Sequence, residues 1–218
     1  MRFRYVALLI PLASLIGSAP ASADPIQLVA VLTNSQENPP TVPTTSTGAP
    51  RPASFGSAFF TLNDAMTSLV FTAVIFNIDF TGTQSPDTFD NLTNAHIHAG
   101  ATVTPTTNAG VVFGFIGTPF NDNNPNDVVV TPFTAGVGGM VSGKWDAPEG
   151  NNTTLLAQLP NILNNRAYIN FHTVQFAGGE VRGAIGAELA PVPEPSTILL
   201  VGFGVAGLMR SRWRSQAD

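Results

Sequence analysis

Hydrophobic and polar residues alternate in many short segments through the middle of the chain, and this pattern is typical of β-strands with one buried face. Clusters of Gly, Pro, Asn and Thr separate the segments and predict turns and loops. The predicted strands cover residues 26–32, 55–62, 68–78, 95–99, 110–116, 128–131, 140–145, 166–173 and 180–189. Many short strands joined by such turns indicate an all-β sandwich or barrel.

One segment has helical spacing instead. Apolar residues such as Leu155, Leu159 and Ile162 recur near every 3.6 residues, which predicts a helix over residues 153–164. Pro160 is expected to kink or shorten it, because proline removes a backbone donor inside a helix. The fold class predicted is therefore all-β: a Greek-key-like sandwich or barrel with one short helix. Immunoglobulin-like and Cu/Zn-superoxide-dismutase-like arrangements both remain open.

The N-terminal residues have the pattern of a secretory signal peptide. Arg2 and Arg4 precede an apolar stretch over residues 5–16, and small residues end at Ala23. A basic start, an apolar centre and a small-residue cleavage site are the three parts of such a signal. Residues 1–23 are therefore predicted to be removed on export.

The C-terminal segment, residues 192–218, also has three parts. They are Pro193, Glu194 and Pro195, then the uncharged run 196–209, then Arg210, Arg212 and Arg214. Fourteen helical residues reach about 21 Å, against a hydrocarbon core of about 30 Å. Snorkelling arginines and an interfacial Trp213 make up the difference, so a transmembrane-type helix with a cytoplasmic basic end is predicted.

This order of Pro-Glu-Pro, apolar run and arginine cluster resembles the PEP-CTERM sorting signal of Gram-negative bacteria. The resemblance implies recognition by an exosortase-type sorting enzyme and cleavage near the motif. It also implies transient membrane anchoring, followed by release to the cell surface or the extracellular matrix.

The intervening body, residues 24–191, is acidic and poor in charge. It keeps four basic and twelve acidic residues, a formal net charge of −8. An acidic surface disfavours nucleic acid and anionic membranes as partners. The chain has no cysteine, which excludes disulfides and thiolate metal sites.

Four segments of this body resemble the motifs of the chordin-type (CHRD) domain. They are LTNSQENPP at 32–40, NAHIHAG at 94–100, YINFHT at 168–173 and GGEVRG at 178–183. Their order matches the family, and Glu37, Glu180 and Arg182 belong to the motifs. The family includes animal inhibitors of secreted growth factors and many microbial secreted proteins. It implies a secreted β-domain without implying one activity.

All three histidines lie in these motifs. On the predicted strand 95–99, His96 and His98 share one face. On the predicted strand 166–173, Tyr168, Asn170 and His172 likewise share one face. If the two strands meet, three imidazoles converge in a set that suits Zn²⁺ or Cu²⁺ and leaves an open ligand position. The alternative is structural: each histidine bonds to backbone carbonyls or to Asn94 or Asn170.

The sequence His-Ile-His-x-Gly also resembles one metal-ligand strand of Cu/Zn superoxide dismutases. The remaining ligands and the cysteines of that enzyme are absent, which argues against dismutase activity. Glu180 and Arg182 share one predicted face and are expected to pair with each other, to pair with Glu37, or to be solvated.

These observations favour an exported protein that acts at the cell surface or in the matrix by binding rather than catalysis. The predicted partners are an exosortase-type enzyme and exopolysaccharide or matrix proteins. The alternative is a metal-binding (Cu or Zn) or redox protein that uses His96, His98 and His172.

Overall fold

The computed structural model describes residues 24–187, and this range forms strands, turns and one α-helix. The strands are β1 (Ile26–Thr33), β2 (Phe55–Leu62), β3 (Ser68–Phe76), β4 (Leu92–Ala99), β5 (Val111–Ile116), β6 (Val129–Pro132), β7 (Gly138–Asp146), β8 (Ala167–Thr173), β9 (Val181–Ala184) and β10 (Gly186–Ala187). A 3₁₀ turn, Asn34–Gln36, follows β1, and the helix α1 (Leu155–Ile162) lies between β7 and β8. The predicted all-β fold class is confirmed.

The ten strands of the described range join one antiparallel sheet. Its order is β5-β4-β8-β9-β1-β2-β3-β7-β6, and β10 pairs with β1 beside this path. Neighbours such as β4 and β8, or β3 and β7, are distant in sequence, so the connections are Greek-key-like crossovers.

Alternation along each strand decides which face is buried. On β3, Leu69 and Phe71 are buried while Val70 between them is exposed. A period of two is what a sheet with one core face requires. The exposed face of β1, β2, β3 and β7 keeps some apolar residues, including the stacked pair Phe55 and Phe76.

Aromatic contacts close the core by bringing distant parts of the sheet together. Phe71 on β3 lies 4.8 Å from Phe115 on β5, measured between ring centroids. Phe113 on β5 stacks on Trp145 of β7 at 5.0 Å. Because β5 forms one edge of the sheet and β3 and β7 lie near the other, the sheet curls into a half-barrel. The sheet is continuous, as in a barrel, and its two ends pack face to face, as in a sandwich.

Strand β8 is buried on both sides. Ile169 and Phe171 belong to the hydrophobic core, while Asn170 and His172 lie on the opposite side and are also buried. Loop residues 100–110 cover this second side through hydrogen bonds to strand side chains. The covered polar side of β4 and β8 is where the candidate site forms.

Most predicted strands match the observed ones to within three residues, and two elements differ in ways that the structure explains. The helix predicted over 153–164 is shorter: Thr154 caps its start by accepting from the Ala157 amide, and the helix ends two residues beyond Pro160. The strand predicted over 180–189 is broken at Ile185: β9 before it pairs with β8, and β10 after it pairs with β1.

The predicted signal peptide (1–23) and the transmembrane-type helix and sorting residues of 192–218 lie outside the described residues. Within residues 24–187, no helix has the length and apolar character needed to cross a membrane. The domain boundary at residue 191 stays a prediction.

Candidate metal centre

Two neighbouring strands carry the three histidines. His96 and His98 lie on β4, and His172 lies on β8. Antiparallel pairing places His96 opposite Asn170 and Asn94 opposite His172. Paired residues of adjacent strands point to the same face, so this register collects the imidazoles on one side of the sheet.

The imidazoles approach one another closely enough to share an ion. One ligand nitrogen from each of His96, His98 and His172 lies within 4.8 Å of the other two. The closest pair, His96 Nδ1 and His172 Nε2, is 3.1 Å apart. Two nitrogens on one tetrahedral Zn²⁺, with bonds of about 2.0–2.1 Å, are roughly 3.3 Å apart. The spacing of this pair is therefore close to that of two ligands on one ion.

Backbone carbonyls fix the proton on two of the rings. His98 Nδ1 is 2.8 Å from the Ala109 carbonyl oxygen, and His172 Nδ1 is 2.9 Å from that of Ala177. A carbonyl oxygen only accepts, so each Nδ1 donates its hydrogen and each Nε2 keeps its lone pair. Histidines that bind metals commonly have such a second partner, which orients the ring.

Burial keeps the three rings neutral. Desolvation, followed by the neighbouring imidazoles, lowers the pKa of His96 to about 3. Burial lowers the pKa of His98 to about 4 and also lowers that of His172. Neutral imidazole is the form that binds metal. His98 Nε2 is also buried without a hydrogen-bond partner, and an ion would give its lone pair one.

A stack of side chains holds one wall of the site. Tyr168 lies parallel to His98, with ring centroids 4.7 Å apart and planes 3° apart. The guanidinium carbon of Arg182 lies 3.5 Å from the centre of the Tyr168 ring. Arg182 also donates to Asn108 Oδ1 and to two carbonyl oxygens of loop 104–108. These contacts tie the covering loop to the sheet above His98.

The family model described as the CHRD domain matches residues 28–185, from β1 through β9. This chain belongs to the CHRD-domain family. The CHRD match includes all three histidines together with Glu37, Glu180 and Arg182, as the motifs predict. No curated protein and no solved structure matches the chain significantly.

A second family model, the PEP-CTERM protein-sorting motif, matches residues 191–214. It contains Pro193, Glu194, Pro195, Arg210, Arg212 and Arg214. The CHRD and PEP-CTERM resemblances are thus confirmed. The motif indicates that this CHRD protein is exported, anchored transiently at the membrane by its C-terminal segment, and processed by an exosortase.

The predicted pairing of Glu180 with Arg182 is wrong. Glu180 lies just before β9, fully buried, and forms an ion pair with Arg51. Arg182 is also buried and interacts electrostatically with Tyr168 and Glu37, the second predicted alternative. The third alternative, solvation at a strand face, is wrong for both residues, because both are buried. A buried charge needs a partner, and each of them has one.

Sequence reasoning in the CHRD domain did not find Arg51 or the carbonyls of Ala109 and Ala177. A carbonyl has no sequence signature, because every residue carries one. Arg51 gave a weak signal, since it is one of four cations in the body and lies in a Thr/Pro-rich loop. Its partner Glu180 is too far along the chain for any local pattern to connect them.

Without metal, the burial of the histidines should make the stability of the fold depend on pH. The pKa of His98 falls from 6.5 to about 4 on folding, so the unfolded chain binds more protons between these values. His98 therefore destabilises the fold as pH falls below about 6.5. Glu37, whose pKa burial raises to about 7, acts oppositely, so total stability is not a clean readout.

We therefore expect a difference between variants. With a chelator present, the free energy of unfolding of the wild type minus that of His98→Gln should fall by on the order of 2 kcal/mol from pH 6.5 to 4.5. Urea unfolding at both pH values measures this. Parallel pH profiles for the two proteins would contradict a neutral, buried His98.

Proposed function

We propose that the exported CHRD domain binds one transition-metal ion, Cu²⁺ or Zn²⁺, through His96, His98 and His172. One observation carries the proposal: three buried, neutral imidazoles offer ligand nitrogens within 4.8 Å of one another. Without an ion, this arrangement leaves His98 Nε2 buried and unpaired.

The donor set supports these two ions over others. Imidazole nitrogen suits Cu²⁺ and Zn²⁺, whereas Ca²⁺ and Mg²⁺ prefer oxygen. The general order of affinity for nitrogen and oxygen sites places Cu²⁺ above Zn²⁺. We therefore expect the site to bind Cu²⁺ more tightly.

The role is proposed to be binding rather than catalysis. Among the described residues, the potential metal-ligand cluster contains the three histidines and no carboxylate that would act as a general base. The covering loop, tied down through Arg182, also limits access. We also propose that the protein acts at the cell surface or in the matrix, with exopolysaccharide or matrix proteins as partners.

Metal titration of the full-length, detergent-solubilised protein tests this function. After chelator treatment, Cu²⁺ and Zn²⁺ should each bind at one ion per chain and raise the unfolding temperature. An ion at 100 times its Kd adds about 2.7 kcal/mol of stability. Asp127→Asn, in the acidic turn 121–127, is the control and should bind normally. The absence of saturable uptake and of any stability change would refute the proposal.

Localisation has its own test. Deleting residues 192–218 removes the matched sorting motif, so the protein should lose exosortase processing and surface display. Cell fractionation and surface labelling of truncated and full-length chains measure this. Equal display of both chains would contradict sorting through this segment.

A further inference from the structure

We propose that Asn170 supplies a fourth ligand through its side-chain oxygen Oδ1, so that the centre is a closed site of three nitrogens and one oxygen. The inference rests on the proposed function and completes its ligand set. It replaces the open fourth position expected from the sequence. Such a site holds its ion and offers no position to an external substrate.

Asn170 lies at the centre of the site. On β8 it is flanked on the same face by Tyr168 and His172, and its register partners are His96 on β4 and Arg182 on β9. The residue is 1% exposed, so solvent does not satisfy its polar atoms. Asn170 Oδ1 lies 3.0 Å from His172 Nε2.

The contact between Asn170 and His172 brings two hydrogen-bond acceptors together. His172 Nδ1 carries the hydrogen, because it donates to the Ala177 carbonyl, so Nε2 presents a lone pair. Asn170 Oδ1 also presents lone pairs. Two acceptors 3.0 Å apart repel each other, whereas a cation between them would bind both. The separation is close to the roughly 3.3 Å edge of a tetrahedral site.

The opposite end of the amide fixes its orientation. The Glu37 carboxylate interacts with the side chain of Asn170, and in its ionised form it accepts from the NH₂ group. A Cβ at Gly179 would lie 2.6 Å from Asn170 Nδ2 and 2.5 Å from Glu37 Oε1. Both atoms therefore pack against the bare α-carbon of Gly179, and only a glycine leaves room for them. With NH₂ held there, Oδ1 points to the histidines.

Glu37 belongs to the motif at 32–40, and its contact with Asn170 connects that motif to the one at 168–173. Its carboxylate orients the amide of Asn170, as hydrogen-bond partners behind metal ligands orient those ligands elsewhere. Donation to a carboxylate also increases the negative charge on Oδ1, which favours cation binding. Glu37 is a positioning residue in this arrangement, since it acts through Asn170.

Azide binding to the Cu²⁺-loaded, full-length protein tests the proposal. The wild type should bind azide more weakly than Asn170→Ala, as read from the azide-to-copper absorption band, because Oδ1 occupies a position that azide takes in the variant. Asn170→Ala should show this band and bind Cu²⁺ about 10- to 100-fold more weakly. Asn170→Ser is the second variant if Asn170→Ala does not fold, since its hydroxyl can donate to Glu37 but is too short to reach the ion.

The outcomes separate this inference from the proposed function. Equal azide binding by the wild type and Asn170→Ala, or unchanged copper affinity and spectrum in both variants, would overturn the role of Asn170. If His98→Gln still loses copper in that case, the three-histidine function stands. If the wild type binds no copper, both fail.

Discussion

Glu180→Gln should lower the free energy of unfolding by about 3–5 kcal/mol, since it leaves a buried guanidinium without its counter-charge. The side chains of Arg51 and Glu180 are 6% and 0% exposed. The hydroxyl groups of Ser54 and Thr173 donate to the same carboxylate, so the substitution also disturbs a hydrogen-bonded network. Because Thr173 directly follows His172, the network also fixes the end of β8 that carries a proposed ligand.

Urea unfolding with an unchanged m-value measures this loss. Lys144→Gln is the matched control, since it removes a cation from ion pairs with Asp127 and Asp146 whose side chains are 19–30% exposed. Exposed pairs contribute about 0–1 kcal/mol, so the control should change little. Equal, small effects of both substitutions would show that the Arg51–Glu180 pair does not hold the fold together.

His98→Gln should weaken Cu²⁺ and Zn²⁺ binding by more than about 100-fold. Loss of an outer-shell partner alone commonly costs about 10- to 100-fold, and His98 is a proposed direct ligand. Glutamine approximates the size of the ring but presents no imidazole nitrogen. Competition with a chelator of known affinity measures the change.

The control for this prediction is again Asp127→Asn, which should keep the wild-type affinity. The far-ultraviolet spectrum of metal-free His98→Gln shows whether the variant is folded. A folded His98→Gln protein with wild-type copper affinity would remove His98 from the ligand set.

Period-two patterns predicted most strands and the shared face of His96 and His98. Side-chain alternation is a local property, so it can be seen in the sequence alone. The motif order further predicted that the segment around His172 belongs to the same domain. The sequence left open whether β4 and β8 are neighbours, because sheet order depends on contacts between residues far apart in the chain.

The parts of the site that sequence could not provide are of that long-range kind. Asn170 shares a face with His172 on β8, as alternation predicts, but it lies beside Glu37 only because the segment after β1 packs against it. The Glu180 partner was predicted wrongly for the same reason. Alternation placed Glu180 beside Arg182, but Glu180 precedes β9 and turns into a pocket with Arg51.

X-ray absorption of the Cu²⁺-loaded, full-length protein counts the atoms bound to the ion. We expect three imidazole nitrogens, from His96, His98 and His172, and one further oxygen at about 2.0 Å. A shell of oxygen atoms, or one with fewer than three imidazoles, would contradict this expectation.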